Sequence, residues 1–135
     1  MAKVDSGIKL ASYALEQKEV KDAAFLLHQS TERAYTCYLL SRVQYVPRSH
    51  NIKFLRSLAE GKEPRLIDSW PRATKIDRRR FELTKRAYVD ARYSSNYEIS
   101  TDDLVAITSA VQSLRDIVEA VSREWLETLQ QQAGW

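Results

Sequence analysis

The sequence predicts an all-α protein, an up-and-down four-helix bundle with an additional short helix, and three observations lead there. Only three Gly and three Pro in 135 residues leave little punctuation for the many tight turns of an all-β fold. Apolar residues recur at steps of three and four along most of the chain, the spacing of one face of a helix. Short connections join these segments, so sequence neighbours are expected to alternate in direction and pack side by side. A 44% apolar composition suffices for one core, which makes residues 1–135 a single domain with 1–7 and 130–135 expected to fray.

The first helix is predicted from Val4 to Gln17, with Val4, Ile8, Ala11 and Leu15 as its inward stripe. The second runs from Glu19 to Arg42, and Val20, Ala23, Ala24, Leu27, Tyr35, Tyr38 and Leu39 mark its core face. Val46-Pro47 closes the connection, because the residue before a proline avoids the helical region. Ser49 is expected to cap a third helix over His50–Glu60, whose core residues would be Ile52, Leu55 and Leu58, and Gly61 is its natural stop. The stretch 61–73 holds two prolines and a glycine but also Leu66, Ile67 and Trp70, so it should pack down onto the bundle.

Thr74 with Asp77 resembles a capping arrangement that opens a fourth helix, expected to reach Arg92 with Ile76, Leu83, Ala87, Tyr88 and Ala91 inward. Ser94-Ser95-Asn96 forms a turn, and the Ser100-Thr101-Asp102-Asp103 run caps the last helix. There Leu104, Ile107, Val111, Leu114, Val118, Val121 and Trp125 alternate steps of three and four, the seam of a heptad.

Composition narrows the setting. One cysteine, Cys37, makes no internal disulfide, and the polar beginning lacks the apolar stretch of a signal peptide, so a reducing, cytoplasmic location is expected. No apolar run reaches the ~18 residues that cross a bilayer, which argues against membrane insertion. Two histidines and one cysteine make a structural zinc site improbable, and no cofactor is expected.

Charge is distributed unevenly: residues 1–71 carry a balance of +3, residues 72–92 one of +5 and residues 93–135 one of −5. Basic and acidic parts either attract one another across packed helices or face different ligands; a third alternative is a solvated face carrying Arg78, Arg79 and Arg80.

Three places have residues suited to chemistry. His28, Glu32, Tyr35 and Leu39 share one face of the second helix, bringing an imidazole, a carboxylate and a phenol together, either as a polar pocket or as a local pair at the core edge. A buried Glu32 needs a partner, and Arg92 is the expected one, within salt-bridge distance. His50 lies where a helix opens and unsatisfied N–H groups attract phosphate, or it serves only as a surface or capping residue. In Arg92-Tyr93-Ser94-Ser95-Asn96-Tyr97 a guanidinium stands beside two phenols, a combination that holds phosphate and stacks bases, although tyrosines at a bundle end also act as lids on the core.

FLLHQSTERAYTCYLL (Phe25 to Leu40), Ser49-His50-Asn51 ahead of Ile52 to Leu58, and Leu83 through AYVDARY to Tyr93 together resemble the HEPN domain, named for higher eukaryote and prokaryote nucleotide binding. Gln29 and Glu32 match its Gln-x-x-Glu, and the likeness spans about residues 8 to 125. The AYVDARYSSNY version is most similar to HEPN domains beside or fused to minimal nucleotidyltransferases. The resemblance implies an α bundle, commonly dimeric, with a groove for nucleotides or RNA. Many relatives are metal-independent endoribonucleases that use arginine, four to six residues of any kind, then histidine. This sequence has Arg92, four residues, then Tyr97, and a phenol with a pKa near 10 is a poor base at neutral pH. Arg42 and Arg48 are wrongly spaced from His50 to substitute.

The sequence therefore reads as a HEPN-like domain that binds a nucleotide or RNA without catalysis, acting with a nucleotidyltransferase partner and forming a homodimer. Arg92, Tyr93, Tyr97, Glu32, His28 and His50 are the candidate binding residues, with Glu32 orienting Arg92; no catalytic or metal-ligating residue is assigned. The alternatives are a toxin-type endoribonuclease of a toxin–antitoxin pair, in which His28 or His50 replaces the missing histidine in space, and a dimerisation or adaptor bundle built on the heptad seam.

Overall fold

A computed structural model describes residues 1–134; Trp135, the last residue of the tail expected to fray, lies outside the described residues. The described residues form helices joined by short loops, with no strand. α1 spans Ala2–Glu16 and buries Val4, Gly7, Ile8, Ala11 and Ala14. It begins at the second residue, so residues 2–7, in the stretch expected to fray, are helical, and Val4 and Gly7 among them are buried. Gly7 permits the close approach to α2: a Cβ there would lie 2.1 Å from Ser30 Oγ. α1 stops at a left-handed residue, Lys18 with φ 60°, which turns the chain so that the Glu19 N–H reaches the Ala14 carbonyl at 2.8 Å.

α2, Val20–Arg42, is the central helix and packs against every other α-helix of the bundle. α3 runs Ile52–Lys62, two residues later at each end than the spacing predicts. Asn51, not Ser49, caps it: Asn51 Oδ1 accepts from the backbone N–H groups of Lys53 and Phe54, while Ser49 Oγ accepts from Asn51 N. Gly61 does not stop the helix, because its φ is ordinary and nothing crowds it. A 3-10 helix, Pro64–Ser69, then carries Leu66 into the core, followed by Trp70 edge-on to Phe81 at 4.9 Å. Ile67, expected to join them, is exposed.

α4, Lys75–Arg86, opens with the Thr74–Asp77 capping box and buries Phe81, Leu83 and Thr84. It does not continue to Arg92. The chain turns at Ala87–Val89 and resumes as a single turn, α5, over Asp90–Tyr93. Ile76, expected inward, is half exposed, because the first turn of α4 projects past the core. α6, Thr101–Gln132, is opened by a second capping box, Ser100–Asp103, and its tail stays helical through Gln132. Its seam from Leu104 to Val121 is buried in the bundle's own core, and Trp125 lies under the Arg42 guanidinium at 3.9 Å.

The uneven charge is partly spent within the fold. Arg79 and Arg80 of the basic α4 reach Asp103 of the acidic α6 at 3.3 and 3.0 Å. Burial tends to raise the Asp103 carboxyl, but hydrogen bonds from Ser100 and Arg80 hold it below its ordinary value. Midway along α6, Arg115 pairs with Asp5 of α1 at 2.7 Å, across 110 positions of sequence.

A candidate nucleotide-binding shelf

The late start of α3 leaves His50 in the connection, free to turn toward α2. Its Nδ1 donates to Glu32 Oε1 at 2.7 Å, and its ring stacks on Tyr88 at 4.3 Å with the planes 14° apart. Glu32 also lies 3.7 Å from His28 Nε2, one turn back on α2. His28 is fully buried, and because a carbonyl only accepts, its Nδ1 must donate to the Thr84 carbonyl at 3.0 Å. Burial works to raise the Glu32 carboxyl, yet hydrogen bonds and charge from the two imidazoles outweigh it and keep the group below its ordinary value. Glu32 is therefore an ionised anchor that holds His50 at the surface through a hydrogen bond and lies beside the buried His28, whose ring is held by the Thr84 carbonyl.

Tyr88 stands at the centre of this arrangement. The Ala87–Val89 turn brings its ring between His50 and His28 and within 6.2 Å of Phe25, nearly parallel to it. The same turn delivers Arg92, whose guanidinium lies 4.5 Å from the Phe25 ring, 5.5 Å from that of Tyr88 and 5.1 Å from that of Tyr93. Its one polar contact among the described residues is donation to the Tyr88 carbonyl at 3.0 Å. An aromatic shelf thus carries an open cation at one end and an exposed imidazole at the other.

The expected Glu32–Arg92 pairing is not formed. The carboxylate belongs to His50 and His28, and Arg92 has no carboxylate partner among the described residues. The cause is the turn at 87–89, which directs Arg92 to the Phe25 level of α2. Glu32 lies seven residues farther along that helix, roughly 10 Å at 1.5 Å per residue. Glu32 consequently positions His50 rather than the arginine.

Tyr93 is 75% exposed, whereas Tyr97 is 2% exposed and its hydroxyl donates to the Leu83 carbonyl at 2.7 Å. Burial pushes the Tyr97 phenol well above its ordinary value. Tyr97 is thus a lid on the core, with no polar group left for a ligand, and leaves the candidate set. His28 is likewise internal and touches the shelf only through Glu32 and Tyr88. Arg92, Tyr93, His50 and Glu32 remain at one surface, and Phe25 and Tyr88 join them. Sequence spacing carries a signal for both newcomers: Phe25 and Glu32 are i and i+7 on α2, and Tyr88 and Arg92 are i and i+4.

No group of three or more metal-ligating side chains occurs among the described residues, and no helix there is long and apolar enough to cross a membrane. A comparison with curated proteins gives no match. The family model of the HEPN domain matches residues 4–125, a range that contains every helix bearing the shelf, and the chain belongs to the HEPN domain family.

Proposed function

We propose that the chain binds a nucleotide or RNA on the Phe25–Tyr88–Arg92–Tyr93 shelf and does not cleave it. The observation that carries this reading is the state of Arg92. Arg65, Arg72, Arg79, Arg80, Arg86, Arg115 and Arg123 each sit on a carboxylate; Arg92 shares the lack of one among the described residues with Arg33, Arg42, Arg48 and Arg78, but it alone is exposed and spread over three aromatic rings. Such a cation meets a phosphate, and the rings beside it offer faces for bases, each worth about 1–3 kcal/mol when stacked. Family membership supports the ligand class. The burial of Tyr97 supports the absence of cleavage, because the position where relatives carry a histidine holds no accessible base.

Titration of labelled single-stranded RNA and of ATP, at low and high salt, tests the proposal. Arg92→Ala should weaken binding about tenfold, a loss of ~1.4 kcal/mol; unchanged affinity would remove the shelf as the site. The similarity of AYVDARYSSNY to HEPN domains that accompany nucleotidyltransferases supports such a protein as partner, to be tested by co-purification, and a homodimer, to be tested by light scattering. The heptad seam is occupied inside the bundle, so the adaptor reading loses the feature that motivated it.

One observation favours the ribonuclease alternative. Glu32 holds His50 through Nδ1, which directs Nε2 away from that bond, where it has no partner among the described residues, and this is how a general base is oriented. Incubation with mixed RNA decides: cleavage lost in both His50→Ala and Arg92→Ala would replace the binding-only reading with a nuclease.

A further inference from the structure

The basic run of α4 divides into two sets. Arg79 and Arg80 are held by Asp103, and Arg86 by Asp90 at 2.9 Å. Arg78, on another side of the helix, donates only to the carbonyls of Arg72 and Ala73, at 3.0 and 3.4 Å. It borders a cleft of about 310 Å³ between α3, the Pro71–Arg72 stretch and α4, together with Lys53, Arg56, Arg72, Phe81 and Glu82.

Four cations share this cleft with too few acids. Glu60 serves both Arg72, through two bonds at 3.0 and 2.7 Å, and Arg56, at 4.0 Å. Glu82 is turned to Lys85 at 3.6 Å. The Lys53 ammonium has no partner among the described residues, and the Arg56 guanidinium lies over the Phe81 ring, 3.8 Å from its centre. Burial, and after it the positive charge of Arg72, lowers the Arg56 pKa. The cleft is thus walled by fixed guanidinium groups in a positive local field, a setting that attracts phosphate.

We propose that this cleft is a second anion site, which takes the sugar-phosphate backbone of a single-stranded RNA whose bases rest on the shelf. It builds on the binding function proposed above and names the ligand class: an oligonucleotide, not a mononucleotide. The two places adjoin. Lys53, on the first turn of α3, follows His50 by three residues, and Arg78 lies eight residues before Arg86, the end of α4 that leads into the Tyr88 turn, roughly 12 Å at 1.5 Å per residue. One nucleotide does not span that distance, whereas a short chain does.

The test measures polarisation of a labelled 12-nucleotide single-stranded RNA and, separately, binding of ATP and of tripolyphosphate, for wild type, Lys53→Ala/Arg78→Ala, Lys53→Glu and Arg92→Ala. Lys53→Glu covers the case in which loss of the Arg78 bonds to the 72–73 loop disturbs folding. The cleft variants should weaken RNA binding about tenfold and lower the salt slope by about 1.4 in the double variant, for two lost phosphate contacts, and by about 0.7 in Lys53→Glu, for one, leaving ATP binding unchanged. Wild-type affinity and slope in both cleft variants would overturn the proposal, as would tripolyphosphate binding that equals RNA binding and is lost in the same variants. Loss of RNA binding in the cleft variants but not in Arg92→Ala would uphold the cleft and refute the shelf.

Discussion

Glu32 and His50, eighteen positions apart, meet at 2.7 Å across the junction of α2 and α3, and this contact fixes the imidazole plane against Tyr88. A ring held by one nitrogen and stacked on one face has little rotational freedom left, so the shelf is organised before any ligand arrives.

Loosening that anchor should weaken binding without abolishing it. Glu32→Gln removes the charge but keeps a carbonyl acceptor, and a loss of about 1 kcal/mol in hydrogen bonding corresponds to roughly fivefold weaker RNA affinity. Titration beside Arg92→Ala checks the order of effects; an affinity equal to wild type would show that His50 does not touch the ligand.

The contact of Gly7 with Ser30 gives a prediction whose sign depends on background. In the native sequence Gly7→Ala sets a methyl against Ser30 Oγ, which must rotate and give up its 3.4 Å bond to the Val4 carbonyl, so a loss of about 1–2 kcal/mol is expected. With Ser30→Ala the methyl meets the residue-30 Cβ at 3.4 Å and the Leu26 carbonyl oxygen at 3.8 Å, both at or beyond ordinary contact, and the helix propensity of alanine should make the same change neutral or stabilising by up to about 1 kcal/mol. Urea denaturation of the four proteins of the cycle measures this; equal effects of Gly7→Ala in both backgrounds would contradict the packing.

Asp103 should govern part of the acid sensitivity. Its carboxyl is lower in the folded than in the unfolded chain, so its contribution is complete above the ordinary value of 3.8 and is lost as pH falls below it through the folded value. Thermal melts from pH 6 to pH 2.5 should converge for wild type and Asp103→Asn at the acid end, with the wild type more stable by about 2 kcal/mol at pH 6. A constant gap across the range would dismiss the ion pair as its source.

Lys18 occupies a left-handed backbone position that a glycine adopts without strain. Lys18→Gly is expected to raise stability by about 0.5–1 kcal/mol, read as a higher urea midpoint at unchanged slope.

The helices, both capping boxes and the α6 seam were legible in the sequence because each rests on residues within one or two turns of one another. Thr74 with Asp77 and Ser100 with Asp103 needed no knowledge of the remainder of the fold. The break after Arg86 was hidden because Leu83, Ala87 and Ala91 continue an i, i+4 apolar stripe straight through it, and all three are buried. That break decides where Arg92 goes, so the Arg92–Glu32 expectation failed with it. Ser49 and Asn51 are both good caps, and the choice between them, set by where Ile52 must enter the core, left His50 outside the helix and able to reach Glu32. The candidate residues could be named one by one, but their pairing is a tertiary fact.

The Arg115–Asp5 bridge and the packing of α6 on α1, α2, the 3-10 turn and α4 have a consequence for biosynthesis. Four of the six earlier helical segments lean on α6, so a nascent chain leaving the ribosome has no finished interior until α6 has emerged. The α1–α2 hairpin must wait with an uncovered greasy side, and a stall or frameshift within α6 would release a polypeptide unable to hide it.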